Sequence, residues 1–385
     1  MRAQAAVVGA AETKFTPAGT PSTSYDITRD AARAAARDAG IAPAAIDGIV
    51  KYSFDGALND VELATALGCR SLNLSVEVPL GGGSGPAALA IAGAAVSAGL
   101  AANVLCYRTV VADEWWGQLS KPDLGRPYYR DAMELLRPLG WYSYQHMFGM
   151  LTARHMAQYG TTEQACGQVI IRAREHGREA PNALLRDLID LDTYLSAPFS
   201  VEPLRSLDDA VWANGCCAVI VSSAERAADA PNGAAYIVGS AQSAGEPALQ
   251  SFEFWPMRTD MHSSLSQIGR RLWGGDIRPH DIQSLQCYDT APISTMLALE
   301  GLGFCPIGEA GPFIEEGGIS SCAPLQVCTN GGHTSSGYIH GFSQVLEAVR
   351  RVRPDSEGRS CDRFSVASGA PTTPTSAIVL AAEPL

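Results

Sequence analysis

The chain has 385 residues, with 28 Lys and Arg against 40 Asp and Glu, a formal net charge of −12 and 46% hydrophobic residues. At roughly 150 residues per domain it can build two or three core units, and its composition excludes long intrinsic disorder. The acidic balance and the lack of a Lys/Arg-rich run argue against nucleic acid or an anionic membrane as a partner, since both demand a cationic footprint. No run of about 18 apolar residues marks a membrane span. The N-terminus MRAQAAVVGAAETKF lacks the basic-then-apolar layout of a secretory signal, so a cytoplasmic location is expected. The ten cysteines include no C-x2-C pair, and neither a disulfide framework nor a zinc site is encoded.

In chain order, AAVVGAAETKF begins as an apolar strand, and Asp26 to Asp38 follows with helical spacing of Ala and Arg, stopping at Gly40. A Pro-started turn in GIAPAAIDGIVKYSF leads into a strand, Ile46 to Tyr52. VEVPLGGGSGPAALAIAGAAVSAG then reads as strand, Gly-rich turn and helix, and a strand Val104 to Val110 comes next. This helix is apolar on every side, which demands burial between layers. From about Ala112 to Leu204 the chain is rich in Trp, Tyr and Met and predicts a mostly helical insertion that includes Trp141 to Tyr159.

The second half repeats the first. A helix around Ser264 to Trp273 precedes DIRPHDIQSLQCYD, which shares the Ile-x-Pro-x-x-Ile skeleton and then a strand. LQVCTNGGHTSSGYIHGFSQVLEAVRRV matches the Gly-rich turn and helix of the first half, and the strand Phe364 to Ala367 follows. Two copies of one α/β unit imply a duplicated domain, residues 1–230 with the insertion at about 112–204, and residues 231–385. Strands alternating with helices predict mixed sheets covered on both faces, with chemistry where strands end and loops converge.

Three elements stand at such ends. Tyr288-Asp289 follows the second-half strand and precedes a helix from about Ile293. It either projects into a pocket, or packs and caps that helix. The loop Asn330 to Gly341 (NGGHTSSGYIHG) carries the titratable Tyr338 and His340. Its glycines Gly331 and Gly332, with His333, let backbone approach a ligand and present a helix N-terminus, or else serve tight packing. The first-half turn, with Gly82, Gly83 and Ser84, has neither Walker nor dinucleotide spacing; Ser84 has no neighbouring His, and close helix packing is the simpler use. His146, His155, His176, His262 and His280 show no metal-ligand spacing and read as surface or satisfied core groups.

AGIAPAAIDGI, the Gly-rich turn before an apolar helix, the strand ending in a polar pair, and NGGHTSSGYIHG together resemble the thiolase superfamily over essentially the whole chain, nearest its sterol-carrier-protein-type branch. The resemblance implies a duplicated thiolase fold layered α-β-α-β-α, with the helical insertion in the first half. The residues depart from working thiolases at all four catalytic positions. The nucleophilic Cys falls at or beside Gly82, the first His on Tyr288, the His of Gly-His-Pro on Tyr338, and the C-terminal Cys within Ala367-Ser368-Gly369. Claisen chemistry needs an acyl-accepting nucleophile.

CYDTAPISTMLALEGLGFCPIGEAGPFI and TNGGHTSSGYIHG are similar to the lipid-transfer-protein-like aldolases of bacterial steroid side-chain degradation, except that Thr290 stands where some members have His. This resemblance implies retro-aldol cleavage of a β-hydroxyacyl-CoA, such as a steroid with 17-hydroxy-20-carboxyl-CoA chemistry, to a ketone or aldehyde and a shortened acyl-CoA such as propionyl-CoA or acetyl-CoA. It implies a homodimer and a separate small zinc-ribbon/OB-fold partner in a heterotetramer. No cofactor is expected in this chain, and coenzyme A enters with the substrate.

The chemistry asks for a base at the β-hydroxyl, stabilisation of the thioester enolate and an acid at the α-carbon. Tyr288 and Tyr338 are the expected acid and base, with Asp289 and His340 orienting them. A tyrosinate at neutral pH costs on the order of 4 kcal/mol unless donors lower its pKa. His340, the Gly331-Gly332 N–H groups and the helix N-terminus are the expected donors. Gly331, Gly332, His333, Gly82, Gly83 and Ser84 are the expected substrate contacts. Trp115, Trp116, Tyr128, Tyr129, Trp141, Tyr142 and Tyr144 suit either a wall for a polycyclic acyl group or an interface. A thiolase-like acyltransferase on β-ketoacyl-CoA and a non-catalytic acyl-CoA-binding protein are the alternatives.

Overall fold

The computed structural model describes residues 4–52, 59–114, 137–141, 143–245, 260–354, 358–371 and 374–385. The first half runs β1 (Ala5–Glu12), β2 (Thr16–Pro17), α1 (Ser24–Asp38), β3 (Gly48–Tyr52), α2 (Asp60–Leu67), β4 (Leu74–Val78), α3 (Ser84–Ser97) and β5 (Val104–Val110). The insertion supplies α4 (Tyr144–Tyr159), α5 (Glu163–Glu179), α6 (Leu191–Ser196) and the small pair β6 (Phe199–Val201) and β7 (Leu204–Arg205). Next come β8 (Ala213–Ser223), α7 (Ala224–Ala227), β9 (Ala235–Ser243), α8 (Ser263–Leu272), β10 (Ser284–Gln286), α9 (Pro292–Gly301) and α10 (Ala310–Glu315). The chain ends β11 (Gln326–Val327), α11 (Gly332–Ser335), α12 (Phe342–Val352), β12 (Phe364–Ser368) and β13 (Thr375–Ala381).

Local chemistry sets these elements. In α1, Thr23 caps the first turn by accepting from the Asp26 N–H, and Ala31, Ala32, Ala35 and Ala36 form the buried stripe. The segment Ile46–Tyr52 is a strand only from Gly48, because Pro43–Ala45 closes a 3-10 turn whose last bond is donated by Ile46.

The sheet order is β11-β10-β12-β13-β9-β1-β8-β5-β3-β4, with β2 alongside β8. From the outer end inward, each half repeats one scheme. β3 is parallel to β4 and to β5, as β10 is parallel to β11 and to β12. β8 is antiparallel to β5 and β1, as β13 is antiparallel to β12 and β9. The halves meet where β1 and β9 pair antiparallel, Ala6 opposite Tyr236.

Three cores explain the layering. The central one packs α3 (Leu89, Ala92, Val96) and α12 (Phe342, Leu346, Val349) between Val50, Val104 and Val219 of one half and Ile378 and Leu380 of the other. A second seats α1 and α2 on Ile49, Leu105 and Ile220. A third seats α8, α9 and the insertion helices on Leu285, Val366 and Val379. The result is an α-β-α-β-α sandwich, and α3 is apolar all round because sheet lies on both sides of it. No helix among the described residues is long and apolar enough to cross a membrane.

Candidate active site

β10 ends at Gln286, and two residues later Tyr288 lies against Gly82 of the first half and Gly341 of the second. Tyr338 arrives from the loop between α11 and α12. That loop is gripped by the segment leading into β8: the Val211 N–H donates to the His333 carbonyl (2.9 Å), and the Tyr338 N–H donates to the Val211 carbonyl (2.7 Å). The two phenol oxygens meet at 2.5 Å, a short O–H···O separation. Each tyrosine is 5% exposed. Trp212 packs on Tyr338 (ring centroids 4.9 Å), and with Ala210 and Ala370 closes a small apolar cluster around the pair.

Glycines make room for Tyr288. A Cβ at Gly82 would stand 2.8 Å from Cε2 and 2.9 Å from Cζ of Tyr288, and 2.6 Å from Ala370 Cβ. A Cβ at Gly341, which has φ +84°, would stand 2.7 Å from Tyr288 Cδ2. The Tyr288 ring therefore fills the volume that a side chain at 82 would use, so a tyrosine at 288 and a cysteine at 82 exclude each other in this geometry.

Burial pushes the Tyr338 phenol well above its usual value of 10, the neighbouring phenols of Tyr288 and Tyr144 push the same way, and Arg108 opposes them. Tyr338 is therefore held as a protonated phenol within the short hydrogen bond it shares with Tyr288.

Several sequence-derived roles are corrected by the hydrogen bonds. Asp289 does not cap α9, whose N-cap is Ala291. The Asp289 oxygens accept from the His333 N–H (3.0 and 3.1 Å) and from Gln344 Nε2 (2.9 Å), so the residue ties two loops together. Burial raises its pKa to about 6 despite those donors. The Gly331 and Gly332 N–H groups donate to the Cys328 carbonyl and Asn330 Oδ1, both at 2.9 Å, within their own turn. The Gly341 N–H at the start of α12 is spent on His333 Nε2 (2.9 Å). Ser84 Oγ donates to the Val78 carbonyl and accepts from the Leu80 N–H, and the residue is wholly buried. A Cβ at Gly83 would stand 2.7 Å from Thr375 Cα, so this glycine serves close contact with β13. Of Gly82, Gly83 and Ser84, Gly82 is the one that lies against Tyr288.

His333 packs edge-on against Tyr288 and Tyr338 (4.7 and 5.0 Å between centroids). Burial lowers its pKa to about 3, so it is neutral. Because Nε2 accepts from Gly341, its proton is on Nδ1, 3.4 Å from Asp289 Oδ1. His340 is 5.3 Å from Tyr338 and 4.8 Å from Tyr52 by ring centroids, in a left-handed backbone conformation of φ +53°. Behind it the sequence reasoning missed Arg108, which is fully buried in β5 with Nη2 3.1 Å from His340 Nδ1 and its guanidinium 4.8 Å over Tyr52. The available signal was a lone arginine in the otherwise strand-like VLCYRTV.

Among the described residues, one group has the donor set for a metal, His155, His262 and Glu300, with ligating atoms within 4.8 Å of one another. Both imidazoles contact Glu300 Oε2, at 3.2 and 2.6 Å, and Oε1 accepts from the Ala310 N–H. These are hydrogen-bond spacings, and they tie α4, α8 and α9 together in the core. Burial raises the Glu300 pKa, but the two histidines and Ala310 outweigh it and hold the carboxyl down at about 2. Trp141 is buried, and Tyr144 lies near Phe148 and Trp212. Trp115, Trp116, Tyr128, Tyr129 and Tyr142 lie outside the described residues.

Residues 273–380 match the family described as thiolase C-terminal domain-like. The chain is 30% identical over 387 residues, covering 98% of both sequences, to a steroid side-chain-cleaving aldolase of Thermomonospora curvata. It is 29% identical over 364 residues, 92% of each, to a 17-hydroxy-3-oxo-4-pregnene-20-carboxyl-CoA lyase of Mycobacterium tuberculosis. Its structure superposes on an Ltp2-ChsH2(DUF35) aldolase with a TM-score of 0.89 at 30% identity, covering 98% of this chain and 97% of that one. An acetyl-CoA acetyltransferase of Syntrophomonas wolfei, at 15% identity and a TM-score of 0.66, shares the fold. With a duplicated half-sheet topology and a full-length relative at 30% identity, the chain belongs to the thiolase superfamily, in its steroid side-chain-cleaving aldolase branch.

Proposed function

We propose that this chain is a carbon–carbon lyase that splits a β-hydroxyacyl-CoA by retro-aldol cleavage, with Tyr288 and Tyr338 as one proton relay. The observation that carries the reading is the 2.5 Å contact between the two phenol oxygens. One phenol takes the β-hydroxyl proton as it passes its own across that contact, and the other delivers a proton to the α-carbon. The Cα–Cβ electron pair stays with the thioester as the enolate, and the β-carbon leaves as a ketone or aldehyde. One proton is lost at oxygen and one gained at carbon, so no net proton is released. Because the phenols exchange protons across a formed hydrogen bond, neither need exist as a free tyrosinate, which matches the raised pKa of Tyr338.

Burial of Tyr288 against Gly82 argues against the acyltransferase alternative, since Claisen chemistry needs a nucleophile in the space that the ring occupies. The relay draws on the chain's own side chains and on the coenzyme A that the substrate carries. Asp289 acts on the phenols indirectly, by fixing the loop that carries Tyr338, while His333 packs on both rings. The names of the relatives support a steroid acyl group of the 17-hydroxy-20-carboxyl-CoA kind. The similarity to an aldolase solved with ChsH2(DUF35) supports a small zinc-ribbon/OB-fold partner, in a heterotetramer built on a dimer of this chain. Co-expression with such a partner, followed by product mass analysis on steroidal β-hydroxyacyl-CoAs, tests the reading. Ketone plus shortened acyl-CoA is the expected outcome. Tight acyl-CoA binding without cleavage by the assembled complex would overturn it.

A further inference from the structure

A guanidinium has only donors, so Arg108 Nη2 at 3.1 Å from His340 Nδ1 requires that nitrogen to be the acceptor. A proton there would set two donors face to face. The imidazole is thereby left with its single proton on Nε2, and it can neither take a second proton at Nδ1 nor act as a base through it. The environment makes this arrangement hard to escape: Arg108 and Tyr52 are both 0% exposed and His340 3%. The guanidinium is also sandwiched against the Tyr52 ring, which in turn packs on the His340 ring. The backbone of His340 adds a further constraint, since a non-glycine residue at φ +53° persists only where its surroundings hold it. The neighbouring imidazole is fixed in the opposite sense, with His333 Nε2 accepting from the Gly341 N–H.

We propose that Arg108 is a positioning residue that locks His340 as the neutral Nε2–H tautomer, so that His340 serves the phenol site as a polarised hydrogen-bond donor and not as an acid–base group. The positive charge behind Nδ1 strengthens the N–H on the far side of the ring. Retro-aldol cleavage produces one new anionic oxygen, that of the thioester enolate, and a neutral fixed donor stabilises such an oxygen without competing with the phenols for the proton in transit. The tautomer lock follows from the structure alone, whereas its use on an enolate oxygen rests on the reaction proposed above.

The two parts are tested separately. In the full chain carrying 15N-labelled histidine, with His340 assigned by comparison with His340→Gln, long-range 15N–1H correlations should show the Nε2–H tautomer unchanged from about pH 5 to about pH 8. An Nδ1–H pattern, or conversion to imidazolium within that window, would overturn the lock whether or not the protein turns out to be an aldolase. With the partner-loaded enzyme and a steroidal β-hydroxyacyl-CoA, Arg108→Met should lower kcat by about 10²-fold with little change in KM. It should also add an acidic limb to the kcat–pH profile as His340 becomes free to titrate. Arg108→Lys should restore part of the rate, and Arg108→Met/His340→Gln should lose the new limb. An Arg108→Met enzyme whose kcat and pH profile match wild type would overturn the catalytic part. If Arg108→Met does not fold, the spectrum of the unsubstituted chain still decides the tautomer, and Arg108→Lys decides the kinetics. Absence of cleavage by the wild-type complex would sink the reaction and leave the tautomer result standing.

Discussion

Replacing Gly82 by Ala adds one methyl group at the point where the first-half turn meets Tyr288. The new carbon would begin 2.8 Å from Cε2 and 2.9 Å from Cζ of the ring and 2.6 Å from Ala370 Cβ. Comfortable carbon–carbon contact is about 3.5 Å or more, so the ring has to retreat by roughly 0.7 Å. Tyr288 is rigid beyond its two torsions, so its oxygen moves by a similar amount. The 2.5 Å contact with Tyr338 would then stretch to about 3.2 Å, beyond the usual O–H···O range. A misplacement of this size costs on the order of 10²-fold in rate, and overpacking costs about 1–3 kcal/mol in stability. The assay is kcat for ketone release from a β-hydroxyacyl-CoA, with thermal unfolding measured in parallel. A second comparison isolates the cause: Gly82→Ala should slow Tyr288→Phe far less than it slows wild type, because the contact it disturbs is already gone. Gly82→Cys should fail as a thiolase and also lose aldolase activity, since its thiol enters the same occupied space. A Gly82→Ala enzyme with wild-type turnover and unchanged stability would refute the claim that this glycine exists to seat the phenol.

Other consequences concern pH and the loop frame. Glu300 is held at about 2, below its ordinary value of 4.5, so its stabilisation is present above about pH 4.5 and is lost as pH falls through 2. Glu300→Gln should therefore be less stable than wild type near neutrality and converge on it in acid; parallel acid-unfolding curves would contradict this. Asp289 has the opposite sign: raised to about 6, it favours the folded state below about pH 4 and loses that contribution as pH rises through 6. The stability of Asp289→Asn relative to wild type should accordingly improve between about pH 4 and about pH 6, as read by chemical denaturation, and a flat difference would count against the buried carboxylate. Gly332 has φ +63°, and a Cβ there would stand 1.7 Å from Asp289 Oδ2, so Gly332→Ala should break the Asp289–His333 tie and lower the melting temperature. Unaltered melting would show the loop to be held by other contacts.

The duplication was legible because each half repeats the same punctuation, Pro turn to strand and Gly-rich turn to helix, and those signals are local. The helix Asp26–Asp38 and the strand Val104–Val110 follow from spacing alone. Tyr288 and Tyr338 could be singled out as polar residues at element ends, but their 2.5 Å contact depends on two loops fifty positions apart. What sequence could not supply was the destination of each hydrogen bond. A Gly-Gly turn looks like an anion cradle until its N–H groups are seen donating to Cys328 and Asn330. Asp289 looks like an orienting carboxylate until Gln344 and His333 are found on it. His155 and His262 come from distant segments to one glutamate, a pairing with no fixed spacing to read. Arg108 was hidden for a related reason, since a charge inside a strand signals something unusual without naming its partner.

Single-turnover cleavage by Tyr288→Phe and Tyr338→Phe, each folded and loaded with a steroidal β-hydroxyacyl-CoA in the presence of the partner, bears most directly on the relay. Losing either phenol should slow release of the ketone by about 10²–10⁴-fold while leaving acyl-CoA affinity near that of the parent. Cleavage at the parent rate by both substituted enzymes would contradict it.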